Sequence, residues 1–90
     1  MILAFFLVSA VPSYDIRAYC EKVSDSVGGS AEIELSCRQQ EETAKSAAEA
    51  RDLPERVQQY CDEVAQSIGG SYVIYNGCAD QELEALEKLD

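Results

Sequence analysis

Four cysteines are the residues of this chain best equipped for chemistry, and their spacing limits which chemistry that is. Cys20, Cys37, Cys61 and Cys78 are separated by sixteen, twenty-three and sixteen residues. Zinc sites are built from close pairs such as C-x2-C, completed by further cysteine or histidine, and this chain has no histidine. Redox-active thiols occupy C-x-x-C spacings at helix N-termini, where their pKa falls; C-x16-C offers neither feature. Four cysteines in so short a chain then read as two structural disulfides, a sign of an oxidising compartment. No metal and no cofactor is expected. The missing histidine also removes the commonest general base and the Ser-His and Cys-His couples, so the expectation is a non-enzyme.

Charge narrows the partners. Seventeen Asp/Glu against seven Lys/Arg give the 90 residues a formal charge of −10. Such a chain cannot neutralise a phosphate backbone, nor does it suit an anionic membrane surface. The acids mostly read as solvated helix faces, with Glu34–Arg38, Glu41–Lys45, Asp52–Arg56 and Glu84–Lys88 in the favourable i,i+4 order. The densest acidic cluster is Glu82, Glu84, Glu87 and Asp90. No loop of the calcium-binding type occurs.

The elements that hold the cysteines are written twice. With a shift of 41, Ile16 falls on Val57, Tyr19 on Tyr60, Cys20 on Cys61, Val23 on Val64 and Val27 on Ile68. Gly28, Gly29 and Ser30 fall on Gly69, Gly70 and Ser71, and Cys37 falls on Cys78. Self-similarity of this kind means one supersecondary unit built twice. The apolar positions before each glycine pair recur at helical spacing. Asp52 is expected to cap the second copy's first helix, with Glu55 reaching back and Pro54 in its first turn. Gly28 and Gly69 supply the left-handed residue that ends each helix, and Ser30 and Ser71 cap the helix that returns.

Two antiparallel helices leaving one turn bring equidistant residues to the same level. Cys20 and Cys37 are equidistant from Gly28-Gly29, as are Cys61 and Cys78 from Gly69-Gly70. Of the three connectivities, Cys20–Cys37 with Cys61–Cys78 alone respects that symmetry. The fold class is therefore all-α: two tandem antiparallel helical hairpins, each stapled by one disulfide, in a small four-helix arrangement. Repeat 1 covers residues 14–52 and repeat 2 covers 53–90. The returning helix of repeat 1 has a thin apolar face through Ile33, Cys37, Ala44 and Ala48. That of repeat 2 starts with a strand-like Tyr72-Val73-Ile74-Tyr75 and a turn-like Asn76-Gly77. Helix from Ser71 is expected, an extended segment over 72–77 being the rival. Its tail is expected to pack through Cys78, Ala79, Leu83, Leu86 and Leu89, with Ala48, Leu53 and Leu83 joining the hairpins or serving a homodimer.

Residues 1–13, MILAFFLVSAVPS, carry no charged side chain. An apolar run followed by small residues reads as a secretory signal, cleaved after Ala10 or after Ser13, although the basic n-region is missing. The run is too short to span a bilayer, which takes about 20 residues. The alternative is a buried N-terminal element of the fold. Export to a periplasmic or secreted location agrees with the disulfides.

The two stretches "YCEKVSDSVGGSAEIELSC" and "YCDEVAQSIGGSYVIYNGC", each followed by a glutamate, resemble small exported bacterial proteins carrying a Cys-helix-GGSY-helix-Cys-x3-Glu unit. Those proteins are uncharacterised, so the resemblance implies a fold and no activity. Copy one departs at Ala31, where Tyr is usual. The glutamate is Glu41 in copy one and Glu82 in copy two, and the resemblance marks both as helix-facing, carbonyl-capping positions.

The functional expectation is an exported interaction module, an accessory or inhibitor of a basic protein. A thiol–disulfide protein and a structural envelope component are the alternatives. Tyr19, Tyr60, Tyr72 and Tyr75 could gather on the cysteine face as a partner surface, with Glu82, Glu84 and Glu87 as its acidic flank; packing in the core or at its rim is the competing use of the tyrosines.

Overall fold

A computed structural model of the chain describes residues 11–89. Among them the chain forms four helices and no strand: α1 (Ile16–Ser26), α2 (Ala31–Glu49), α3 (Glu55–Ser67) and α4 (Tyr72–Leu89). Each hairpin turns through the same hydrogen-bond pattern. After α1, Gly28 N–H donates to the Asp25 carbonyl and Gly29 N–H to that of Ser24. After α3, Gly69 donates to Gln66 and Gly70 to Ala65. These are paired Schellman bonds, which satisfy carbonyls the helix end would leave open. All four glycines have φ between 85° and 106°, a region that Cβ-bearing residues avoid. The hydroxyl oxygens of Ser30 and Ser71 then accept from Ile33 N–H and Ile74 N–H, so both serines cap the returning helices.

The turn geometry brings the cysteines together. Cys20 and Cys37 form a disulfide with Cα atoms 5.6 Å apart, and Cys61 and Cys78 form one at 5.5 Å, both at the normal separation. No free cysteine remains. Residues 72–77 are helical, against their strand propensity. Tyr72 and Tyr75 lie three apart on one face and are each 1% exposed, and burial of two aromatic rings outweighs a propensity of a few tenths of a kcal/mol.

Several local expectations are corrected. Asp52 does not cap α3: the N-cap is Pro54, with no side-chain cap, because proline disfavours helical backbone at the preceding Leu53 and so moves the N-cap two residues beyond Asp52. Asp52 therefore lies off the helix and forms no i,i+4 pair with Arg56. Val27 and Ile68 end up at the helix C-caps and are 55% and 47% exposed. Leu89 is 70% exposed, since the core ends earlier along α4.

The helices form a row. α1 packs on α2, α3 on α4, and α2 on α4, so α2 and α4 are the central pair. The result is a slab of 49 × 38 × 20 Å. Its core lies mostly in the second hairpin: Val57, Cys61, Ala65, Tyr72, Tyr75 and Ala79, closed by Ala44, Ala48 and Leu53. Small alanines on α2 let α4 approach closely.

Candidate functional site

Where α2 meets the start of α4, a carboxylate is sealed inside the molecule. Glu41 is 3% exposed. Its Oε2 accepts from the Ser71 hydroxyl at 2.6 Å and its Oε1 accepts from the Tyr72 backbone N–H at 2.6 Å. Burying a carboxylate is costly unless its lone pairs are filled. Here they are filled by charge-assisted bonds at a helix N-terminus, where the macrodipole favours negative charge. The expected Glu41–Lys45 pair is absent for this reason. The expectation of carbonyl capping is also corrected: a carboxylate accepts, so it caps N–H groups.

The junction continues down the two helices. Asn76 Nδ2 donates to the Ala44 carbonyl at 2.8 Å. Arg51 donates to the Asn76 carbonyl and pairs with Asp80 at 2.7 Å. On the other side, Tyr14 closes the second hairpin from before α1. Its ring lies 4.7 Å from that of Tyr72 and 6.4 Å from that of Tyr75. Its N–H donates to the Tyr72 hydroxyl and its own hydroxyl donates to Asp62 at 2.7 Å. Burial, reinforced by the hydrogen bond to Asp62 and that carboxylate's charge, raises the Tyr14 pKa far above the usual phenol range. Burial and Asp62 also raise that of Tyr75, opposed in part by Arg51.

Val11 packs against the same core, and the Pro12 carbonyl accepts from Tyr72 at 3.4 Å. Val11 and Pro12 are therefore part of the packed structure, while residues 1–10 of the expected export segment lie outside the described residues.

Beside the junction, the two hairpins leave a cleft of about 280 Å³. Tyr19, Val23 and Ile33 line one wall, Val73 and Ile74 the other, and Glu41 and Ser71 lie at its base. Ile33, Val73 and Ile74 are each 36–42% exposed. Ile33 and Ile74 are repeat equivalents, so the cleft sits where the two copies present the same apolar position.

The four tyrosines singled out in the sequence do not gather. Tyr19 is half-buried in the cleft, beside Gly69. Tyr60 is 51% exposed, and Tyr72 and Tyr75 are core. Glu84 and Glu87 are exposed and Glu82 is half-buried on the outer end of α4, where Glu84 pairs with Lys88 at 3.8 Å. Sequence reasoning missed Tyr14, whose partners are 48 to 61 residues away, and it missed the cleft. Among the described residues no His/Cys/Asp/Glu group could hold a metal ion, and no helix is long and apolar enough to cross a membrane. Two disulfides are compatible with an extracellular or periplasmic location. No protein-family model, curated protein or solved structure matches this chain.

Proposed function

We propose that the chain is an exported, non-enzymatic binding module that takes a basic, amphipathic segment of another protein into the cleft between its hairpins. One observation carries the reading: three aliphatic side chains remain exposed across a groove whose framework is fixed by two disulfides and the buried Glu41. Exposed apolar residues that share a groove suit a partner better than solvent. The charge of −10 selects the sign of that partner and speeds its approach. Burial of Cys20 and Cys61, both 0% exposed, favours inert staples over thiol exchange. Export is supported by the same staples and by the apolar, uncharged residues 1–10.

The test is titration of the oxidised protein with a synthetic Lys/Leu amphipathic helix at 50 mM and 500 mM salt. Binding is expected at low salt, weakened by salt and weakened about tenfold by Ile74→Glu, which removes an apolar wall and adds a charge to be desolvated. Absence of binding, or binding indifferent to both changes, overturns the reading.

A further inference from the structure

The junction between the hairpins is asymmetric, and its unused halves lie at opposite ends of the slab. Glu41 meets Ser71 and Tyr72, Ala44 meets Asn76, and Arg51 meets Asn76 and Asp80. Partner numbers rise together, so α2 and α4 run parallel. The bonds made from within α2 join residues 30, 31 and 32 apart, about ten short of the repeat offset of 41; the long side chain of Arg51, beyond the end of α2, reaches partners 25 and 29 residues on. Each repeat is therefore displaced along the helix direction by ~15 Å from the one before it. Contacts built on such a stagger are heterologous and continue beyond the pair.

Both halves of the next junction exist. At the end of α4, Glu82 occupies the position of Glu41, while Ala85 and Leu89 occupy those of Ala44 and Ala48. At the start of α2, Ser30 and Ala31 occupy the positions of Ser71 and Tyr72, and Leu35 that of Asn76. Among the described residues, Glu82 has no hydrogen-bond or ion-pair partner, and nothing accepts from the Ser30 hydroxyl or the Ala31 N–H. The substitutions also match across the two ends. Where Asn76 bonds the Ala44 carbonyl inside the molecule, the outer ends offer Leu35, 59% exposed, to Ala85 and Leu89, the latter 70% exposed.

We infer that the chain self-associates head to tail, the end of α4 in one copy docking on the start of α2 in a second. Glu82 accepts from Ser30 and Ala31 of that second copy, and Leu89 and Ala85 cover its Leu35. The contact is weaker than the internal junction, because Ala31 and Glu34 stand where that junction has Tyr72 and Tyr75.

Sedimentation velocity of the oxidised full chain over a concentration series, at 50 and 500 mM salt, tests the inference. Species heavier than the 9.9 kDa monomer are expected to grow with concentration. Added salt is expected to favour them, because each copy carries −10 and screening reduces the repulsion, the opposite sign to a basic partner in the cleft. Leu35→Glu and Leu89→Glu, both at exposed sites, should each weaken association by about tenfold. Mixing these two variants should restore a dimer that grows no further, since each retains one intact end. Ile74→Glu, in the cleft, should leave association unchanged. A wild-type chain monomeric throughout, or association indifferent to both leucine variants, overturns the inference.

Discussion

The Glu41 carboxylate is 3% exposed at the base of the cleft, so its hydrogen-bond partners decide the cost of burying it. Truncation to alanine leaves the Tyr72 N–H without an acceptor and deprives the Ser71 hydroxyl of its own. Each lost charge-assisted bond is worth about 1.5–3 kcal/mol, offset in part by the desolvation the carboxylate no longer incurs. Glu41→Ala is expected to lower the unfolding free energy by about 3 kcal/mol in urea titration. Glu41→Gln, which keeps one acceptor, should lose roughly half as much. The sequence marks Glu41 as a repeat-matched position but hides its role, because i,i+4 spacing points to Lys45 while the true partners lie 30 and 31 residues away. Gly70 shows the same blindness. Its φ of 90° resembles the 85° of Gly29, yet an added Cβ would lie 3.3 Å from the Tyr14 ring at Gly70 and in open space at Gly29. Gly29→Ala should cost about 1 kcal/mol from backbone strain alone. Gly70→Ala should cost about 1 kcal/mol more, through displacement of Tyr14; equal thermal shifts for the two variants would show that Tyr14 yields freely.

At the scale of the helices, almost everything that follows local rules was legible. Doubled glycines, a serine after each, and cysteines equidistant from the turn determine two stapled hairpins, and the structure has them. Where nonlocal packing decides, the local rules fail: residues 72–77 are helical because two tyrosines are buried. The N-cap of α3 falls on Pro54 instead of Asp52 for a local reason, the restriction that proline places on the backbone before it. The hairpins also differ in what holds them. The second contains most of the apolar core, whereas α1 buries only Cys20 and Ser24. Ser24 is spent on a 2.7 Å hydrogen bond to the Ser30 carbonyl, while its repeat partner Ala65 joins the core. Each disulfide closes a similar loop, with a stabilisation of about 3 kcal/mol in the chain-entropy model, but its removal should read out differently. Replacing Cys20 and Cys37 together by alanine is expected to release α1 locally, seen as hydrogen exchange of its amides speeding while α3 and α4 stay protected. Replacing Cys61 and Cys78 should destabilise the whole chain in one transition. Uniform loss of protection in the first variant would contradict a peripheral α1.

The molecule as a whole is held by contacts that cross from the start of the chain to its second half. Tyr14 precedes α1 yet packs on Tyr72, bonds Asp62 and lies against Gly70, so the first hairpin is tied to the second at Glu41 and again through this strap. Nothing in the repeat pattern announces the strap, because its partner surface exists only after the second hairpin has formed. It gives the fold a dependence on alkaline pH. A phenol whose folded-state pKa is raised by burial and by Asp62 is protonated in both states below about pH 10, and its full contribution is present there. Above about pH 10 the unfolded chain loses that proton while the folded chain retains it, so stability falls as pH rises. Tyr75, raised for the same leading reason, acts in the same direction. Urea midpoints measured at pH 8, 10 and 11 should therefore decline more steeply for the wild type than for Tyr14→Phe. The variant should start lower at pH 8, having lost its bond to Asp62, and the gap should narrow by pH 11. Parallel declines would mean that Tyr14 titrates as an ordinary exposed phenol and that the strap does not seal its ring against the second hairpin.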